Sequence, residues 1–510
     1  MKTTREKNSS FRRPAGISFG HRPESSPLFI QNLGPDWVPA YAGTTRLGLS
    51  EPDPRCRVLH IRIAFTCWVA LLSALLAVSG NSQTPLEGRA LPQPLPYQSP
   101  HQTQGTVTCA SSLCHGSIKA WKDSNVLQNE YITWSRTDKH ARAYNVLLNA
   151  RSQKIIKNLG LKQPAHESKI CLDCHAHNVP EAQRGARFKL GDGVTCEGCH
   201  GPAESWIKSH VEPGATHARN IEAGLYPADD AVARARLCLS CHFGNRDKLV
   251  THRIMAAGHP RMSFELDTFT EIAPRHFVID QDYAARKKVW EGSKVWAIGQ
   301  ALAVADMLDI LLDDKRGRDG AFPELVLFDC HACHHPMSDN RWKAKTALGP
   351  SLSPGLVRLN DSNMLMLRAI AFALDPALGE QLSDQTRKLH RAVAGDGEVR
   401  AEAQALKKLA AELVPKIEAR PLDNNTVRRV AMRLIDEGAA GDYADYAAAE
   451  QVTMAIASVG SYLVKNGALR DVSAFNAQMR KVNATLASDE RYQPAEFQAQ
   501  LLPLRALLQK

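Results

Sequence analysis

Ten of the twelve cysteines in this chain form five pairs, and a histidine directly follows the second cysteine of every pair. Four pairs are spaced C-x-x-C-H, whereas the first, CASSLCH, has four residues between its cysteines. C-x-x-C-H is an attachment signature of c-type haem, and the imidazole of its histidine is an axial ligand of the iron. The sequence therefore predicts five covalent haem c groups. The attachment residues are Cys109, Cys114 and His115; Cys171, Cys174 and His175; Cys196, Cys199 and His200; Cys238, Cys241 and His242; and Cys330, Cys333 and His334.

Zinc is the alternative to haem, because two cysteines and a histidine also form part of a zinc site. Five such groups in series, behind an export signal and with no cysteine left over, favour haem over zinc. Disulfides are disfavoured because they do not require a histidine after each second cysteine. The other two cysteines, Cys56 and Cys67, lie in or before a predicted export signal. The wider loop of the first motif can still bring both sulfurs to one porphyrin edge, so a haem is predicted there too.

An apolar stretch near the amino terminus predicts export. Residues 63–78 contain no charge, follow three arginines and precede small residues of the kind that a signal peptidase cleaves. The stretch is shorter than the roughly 20 residues of a relaxed transmembrane helix. Residues 58–82 are therefore predicted to be a signal peptide, with an uncleaved membrane anchor as the alternative.

The segments on either side of the signal differ from a folded domain. Residues 1–57 contain several prolines and no periodic apolar pattern, and are interpreted as a mis-called or non-mature extension. Residues 83–104 are rich in proline and are predicted to be an extended linker. No stretch beyond the signal is expected to cross a membrane.

Twelve further histidines lie beyond the signal, more than enough to give each iron a second axial ligand. Local context selects four candidates for this distal position: His140, His210, His259 and His335. His210 lies ten residues beyond His200, too far to bind the same haem but close enough to reach a neighbouring one. His331, inside the fifth attachment loop, is expected to be solvated.

Part of the chain resembles the c-554-type cytochromes, which are tetrahaem electron carriers of ammonia oxidation. The resemblance spans residues 109–242 and is carried by Trp134 with the HARA run at His140, by GVTCEGCHGP over residues 193–202, and by His210. It implies that His140 is the distal ligand of the His200 haem and that His210 is the distal ligand of the His115 haem.

The chain also departs from that family. Its first motif is longer by two residues, a fifth motif is added, and a long carboxy-terminal region follows. In the family the second haem can lack a distal ligand, which makes the His175 haem a candidate open site here, together with that of His334. The haem arrangement is similar to that of hydroxylamine-oxidising and nitrite-reducing multihaem enzymes, but their C-x-x-C-K motif is absent from this chain.

The predicted fold is mainly α, with a haem domain over residues 105–345 wrapped around its haems and a helical bundle over residues 346–510. Apolar residues at seven-residue steps predict one helix over residues 282–312. Three more helices are predicted near Leu406, Leu409 and Leu413, ending near Pro415; near Val427, Val430 and Leu434, with Thr426 as cap; and near Val452, Ile456, Val459 and Leu463, stopped by Asn466 and Gly467.

These features predict a periplasmic protein that transfers electrons through five haems. The alternative is a haem-dependent oxidoreductase that acts on a small nitrogen or sulfur compound at one open iron. The expected partners are other redox proteins or quinol-linked donors and acceptors, with membrane contact only through an uncleaved signal. The formal charge of +10 is weak evidence for nucleic-acid binding, because haem propionates would offset it and no nucleic-acid module is found.

Overall fold

The structure is a computed structural model, and it describes residues 93–122, 124, 126–318, 322–334 and 358–509. Residues 1–92, which include the predicted signal, and His335 lie outside the described residues. Within the described ranges the chain forms α-helices and short 3-10 turns without a sheet, as predicted. The strand-like pairings in these ranges are two isolated bridges, between Thr103 and Arg184 and between Phe328 and Leu359.

The region that carries the attachment motifs consists of short helices joined by loops. Local capping fixes several of them. The Asn149 side chain accepts the Ser152 N–H at the start of one helix, which Gly160 ends in a left-handed conformation with φ of 70°. The helices are α1 Glu130–Thr137, α2 Ala143–Val146, α3 Ala150–Leu159, α4 Lys169–His175, α5 Cys196–His200, α6 His217–Glu222, α7 Ala231–His242, α8 His252–Ala256, α9 Leu266–Ile272 and α10 Gln281–Arg286.

The remaining helices are longer and pack on one another. They are α11 Gly292–Leu312, α12 Ser362–Leu374, α13 Pro376–Val393, α14 Val399–Ala419, α15 Asn424–Ala439, α16 Tyr446–Lys465, α17 Val472–Ala484, α18 Pro494–Leu501 and α19 Leu504–Gln509. The helix α11 contacts α14 most extensively and also packs against α7, α12 and α16. The carboxy-terminal region is therefore helical, in agreement with the sequence prediction.

One hydrophobic core crosses the predicted boundary between residues 345 and 346. It extends from Ala231 in α7 to Leu508 in α19 and includes the fully buried Trp296 of α11. By contrast, the two other core clusters, which lie mainly around α3 and α4, contain five and three buried residues. The first three attachment motifs therefore lie in a part of the chain with little apolar core of its own.

Several helix boundaries differ from the predictions. The helix predicted over residues 282–312 is two helices, since the backbone becomes extended at Lys287 and α11 begins only after Glu291. The helix predicted to end near Pro415 continues to Ala419. The cap of α15 is Asp423, whose side chain accepts the Thr426 N–H. The end of α16 is as predicted, with Asn466 as its cap residue.

The described part of the predicted linker is docked on the fold. The Tyr97 hydroxyl donates to the Asp247 carboxylate over 3.0 Å, and the Asn245 amide donates to the same hydroxyl. By length and composition α11 could cross a membrane, contrary to the expectation for segments beyond the signal. However, 78% of its most apolar window is buried inside the protein, as in the core helix of a compact fold.

Candidate haem-binding sites

Each of the five attachment histidines faces one other histidine. The ring centroids of these pairs are 6.0 to 6.4 Å apart. The pairs are His115 with His210, His175 with His259, His200 with His276, His242 with His140, and His334 with His252.

The spacing within these pairs fits one iron between two imidazoles. Two metal–nitrogen bonds of about 2 Å each, together with the distance from each bonded nitrogen to the centre of its ring, place the two ring centroids about 6 Å apart. Directly stacked aromatic rings can approach more closely than that. The same separation at five places, each beside two cysteines, therefore matches the donor set of a six-coordinate haem c.

The attachment motifs take up compact local structures that present the histidine last. The second and third motifs are the helical turns at the ends of α4 and α5, so His175 and His200 are the final residues of their helices. The fourth motif ends α7, whose first turn is capped by the Asp230 carboxylate. The fifth begins with a 3-10 turn at Cys330. In each case one turn of chain carries both sulfurs and the imidazole.

Hydrogen bonds at Nδ1 orient five of the ten imidazoles. The Nδ1 atoms of His115 and His140 lie 3.0 and 2.9 Å from carboxylate oxygens of Glu130 and Asp138. Three others lie close to backbone carbonyl oxygens, to which Nδ1–H must donate: His175 to Ala143, His210 to Ile207 and His259 to Pro260. Such bonds fix the tautomer and leave Nε2 free to bind metal.

Burial keeps several of the paired imidazoles neutral, which is the form that binds metal. Burial lowers the pKa of His200 to about 3 and that of His242 to about 4. It also lowers the pKa values of His175, His210, His259 and His276. The pKa values of His115 and His140 are raised instead, because their Nδ1 atoms bond to carboxylates.

The motifs contact one another in two groups. The neighbouring Cys196 thiol raises the pKa of Cys109, and the neighbouring Cys241 thiol raises that of Cys174. The first and third sites are therefore neighbours, and so are the second and fourth.

Glu197, inside the third motif, strengthens the first of these contacts. Its buried carboxylate accepts the N–H groups of Gln104, Gly105 and Ala203 over 2.7 to 2.8 Å. Two of these donors lie just ahead of the first motif. Burial raises the pKa of Glu197, and the three hydrogen bonds oppose that effect.

The fifth site is held by a buried carboxylate and by the carboxy-terminal helices. Glu324 accepts the backbone N–H of His252 over 3.0 Å and that of Val326 over 2.6 Å, and so joins the two segments that carry the His252–His334 pair. His331 is buried, not solvated as predicted. Its Nε2 lies 2.6 Å from the Asp489 carboxylate, and its Nδ1 accepts the Tyr446 N–H over 3.0 Å.

Three of the four predicted distal candidates, His140, His210 and His259, face attachment histidines. His210 faces His115, the partner that the family resemblance implies. His140 faces His242 rather than the implied His200, because His276 occupies the position opposite His200. His175 and His334, whose haems were the candidate open sites, each face a second histidine as well.

Two paired histidines, His252 and His276, were not selected from the sequence. A sequence pattern could have selected His252, because it lies ten residues beyond His242, the same interval that separates His210 from His200. No comparable sequence pattern selects His276, because its loop is brought to His200 by the tertiary structure.

Apart from His331, the other described histidines also have polar or aromatic neighbours instead of an attachment histidine. They are His101 beside Ser205, His166 beside Tyr144, His177 beside Thr195, His217 beside Asp229 and His390 beside the Thr386 carbonyl. Among the residues that the structure describes, no three side chains of His, Cys, Asp or Glu converge on a point that could hold a bare metal ion.

Repeated cysteine pairs, each with an attachment histidine facing a second histidine, define the class of multihaem c-type cytochromes. Residues 108–201, which contain the first three motifs, match the family model described as cytochrome c554 and c-prime. The chain thus carries a domain of that family, whose members bind covalent haem c and transfer electrons. The match is shorter than the resemblance over residues 109–242. No curated protein and no solved structure matches the chain.

Proposed function

We propose that this protein is an exported electron carrier with five haem c groups, each held by two cysteines and two histidines. The observation that carries the proposal is the set of five imidazole pairs with centroid separations of 6.0 to 6.4 Å. An iron held by two such imidazoles would have no position left for a substrate, so the haem would supply electron transfer rather than substrate chemistry.

The chain's own residues have distinct roles in this proposal. The cysteines of each motif would bond to the porphyrin, and the following histidine would be the first ligand of its iron. His210, His259, His276, His140 and His252 are proposed as distal ligands of the first to fifth haems, in that order. Glu130, Asp138 and the backbone carbonyls that contact Nδ1 atoms orient these rings, which sets ligand basicity and hence the reduction potential.

Close contact between motifs supports electron transfer within the chain. Thiols of the first and third motifs, and of the second and fourth, are near neighbours. Haems attached there would be near neighbours, as electron hopping requires. We propose periplasmic localisation, because residues 58–82 resemble a signal peptide and c-type haem is attached outside the cytoplasm. The proposed partners are other redox proteins or quinol-linked donors and acceptors.

The test is a haem count by mass, together with low-temperature EPR and carbon monoxide binding on the purified holoprotein. Five haems, low-spin bis-histidine signals and no carbon monoxide adduct are expected. A high-spin signal with carbon monoxide binding would instead favour the oxidoreductase acting on a small nitrogen or sulfur compound. A polypeptide mass without attached haem would overturn both.

A further inference from the structure

We propose that Phe264 sets the plane of the His242 imidazole at the fourth site, and that the carboxy-terminal helix α16 holds Phe264 in place. The inference rests on the proposed function, because its test is the spectrum of an iron held by His242 and His140. It makes Phe264 a positioning residue and links the carboxy-terminal helices to one of the haem sites.

The angle between the two rings of a pair differs among the five sites. The rings are close to parallel at the first and fifth sites, with interplanar angles of 14° and 28°. They are close to perpendicular at the second, third and fourth sites, with angles of 75°, 86° and 88°. The largest of these angles is that between His242 and His140 at the fourth site.

The angle between two axial imidazoles determines the EPR signal of a low-spin ferric iron. Parallel rings act on the same iron d orbital and split it from its partner orbital, which gives a rhombic signal. Perpendicular rings act on both orbitals and leave them close in energy, which gives a strongly anisotropic signal, here called a high-g signal. Contacts that fix the plane of a ligand ring therefore tune the metal.

The two rings of the fourth site are held in different ways. Nδ1 of His140 lies 2.9 Å from the Asp138 carboxylate, whereas no hydrogen bond orients the His242 ring within the described part of the chain. Aromatic rings contact His242 instead. Phe264 stacks on it at 4.9 Å between centroids with an interplanar angle of 24°, and Phe269 is tilted against it at 5.9 Å. Because Phe264 lies nearly parallel to the imidazole, it is the contact that fixes the plane of that ring.

Phe264 is itself fixed by packing and by its backbone. The residue is buried in the main hydrophobic core, and its ring meets that of Phe269 at 4.6 Å between centroids. Its carbonyl oxygen accepts the side-chain amide of Gln451 over 2.9 Å. The amide oxygen of Gln451 in turn accepts from the Gln300 amide of α11 over 3.0 Å. Both amides are buried, so two long helices hold the backbone of Phe264.

Two further side chains of α16 hold the residues on either side of Phe264. The Ser263 hydroxyl donates to the Glu450 carboxylate over 3.0 Å. The Ser458 hydroxyl donates to the Asp267 carboxylate over 2.6 Å. Both Glu450 and Ser458 lie on α16, which also carries the amide that binds the Phe264 carbonyl. One helix of the carboxy-terminal region therefore positions the segment that stacks on the fourth attachment histidine.

Low-temperature EPR of the oxidised holoprotein tests the inference, with a haem count by mass for every variant. The parent should show a high-g signal that disappears in His140→Ala, which identifies the fourth site. Phe264→Leu removes the flat ring but keeps the position apolar. Because the rings are already at 88°, any rotation of His242 makes them less perpendicular, so this signal should move to a smaller maximum g value while the others stay unchanged. Phe264→Tyr keeps the stacked ring and should retain the parent spectrum.

Two more variants separate positioning from general stability. Phe475→Leu is the matched control, because Phe475 is fully buried in α17, against Gly460 of α16. This substitution should lower the free energy of unfolding without changing any EPR signal. Gln451→Leu removes the hydrogen bond to the Phe264 carbonyl, so the plane of the stacked ring varies more, and the fourth-site signal should broaden.

The outcomes separate this inference from the proposed function. An unchanged fourth-site signal in Phe264→Leu with five haems attached would overturn the inference and leave the carrier function intact. An equal shift in Phe475→Leu, or loss of a rhombic signal in His140→Ala, would do the same. If Phe264→Leu does not accumulate, Gln451→Leu decides, and an unchanged line width contradicts the inference. Absence of haem at the fourth motif would overturn both.

Discussion

The carboxylate of Glu197, inside the third attachment motif, accepts the backbone N–H of Gly105 over 2.8 Å, four residues before the first motif begins. Gly105 has φ of 95°, and a Cβ atom there would lie 2.3 Å from the Arg187 carbonyl oxygen. The backbone conformation of the segment before the first motif is therefore restricted, and the Glu197 side chain stabilises that conformation. The glutamate of the GVTCEGCHGP run thus has a structural role between two motifs.

Replacement of Glu197 by glutamine should destabilise the first attachment site. The amide nitrogen of glutamine would point at a backbone N–H, and hydrogen bonds to charged groups contribute about 1.5–3 kcal/mol each. We expect Glu197→Gln to lower the free energy of unfolding by about 1–3 kcal/mol and to reduce haem occupancy at Cys109 and Cys114. Denaturant unfolding and peptide mass spectrometry measure the two effects.

The matched control is Glu204→Gln. Glu204 also accepts a backbone N–H, that of Gln102 over 2.8 Å, but its side chain is 47% exposed. Its replacement should change stability by no more than about 0.5 kcal/mol. Equal effects of the two substitutions would contradict the role assigned to the buried carboxylate.

Attachment residues can be predicted from the sequence because covalent haem chemistry depends on local spacing alone. Distal ligands depend on how distant segments meet, so His276 could not be assigned to His200 from its surroundings. His331 was misjudged for the same reason, since Asp489 and Tyr446 lie far along the chain. The break between α10 and α11 was missed because apolar periodicity continues through Val289, although the backbone leaves the helix at Lys287.

His252 and His335 can be distinguished as distal ligands. His252 faces His334 at 6.1 Å between ring centroids, whereas His335, which directly follows His334, was predicted from the sequence to serve an adjacent haem. His252→Ala should convert one of the low-spin haems to high spin and create one carbon monoxide site, while His335→Ala should leave the spectrum unchanged. Low-temperature EPR of the two holoproteins makes the comparison, and the reverse pattern would show that His335, and not His252, is a distal ligand.

Removal of Pro415 should stabilise the carboxy-terminal region. The residue is exposed in the interior of α14, where proline lacks the N–H of the helix ladder. Proline costs about 3 kcal/mol relative to alanine inside a helix, and its effect on the unfolded chain offsets up to about 1 kcal/mol. We expect Pro415→Ala to raise the free energy of unfolding by about 1–2 kcal/mol, measured by denaturant titration.

Pro376→Ala serves as the control for that experiment. Pro376 is the first residue of α13, a position where its fixed φ and missing N–H suit the helix. Its replacement should give no gain in stability. A similar gain at both positions would show that proline itself, and not its place in the helix, limits stability.

The contribution of Asp267 to stability should fall as pH rises, whereas that of a carboxylate in an ordinary ion pair falls as pH drops. Burial, and the nearby Glu265 carboxylate, raise its pKa to about 7, and the Ser458 hydroxyl donates to it over 2.6 Å. Because the folded-state pKa exceeds the unfolded value of about 4, the folded protein holds the proton more tightly. The stabilising contribution is complete below pH ~4 and is lost as pH rises through about 7.

Asp267→Asn keeps an acceptor for Ser458 and removes this dependence. The variant should therefore gain stability relative to the parent between pH 5 and pH 8, roughly the window in which the carboxyl ionises. Thermal midpoints of the two holoproteins across that range measure the difference, with Asp384→Asn as control, since the exposed Asp384 has a lowered pKa and is ionised throughout. A difference between Asp267→Asn and parent that stays constant with pH would contradict the assignment.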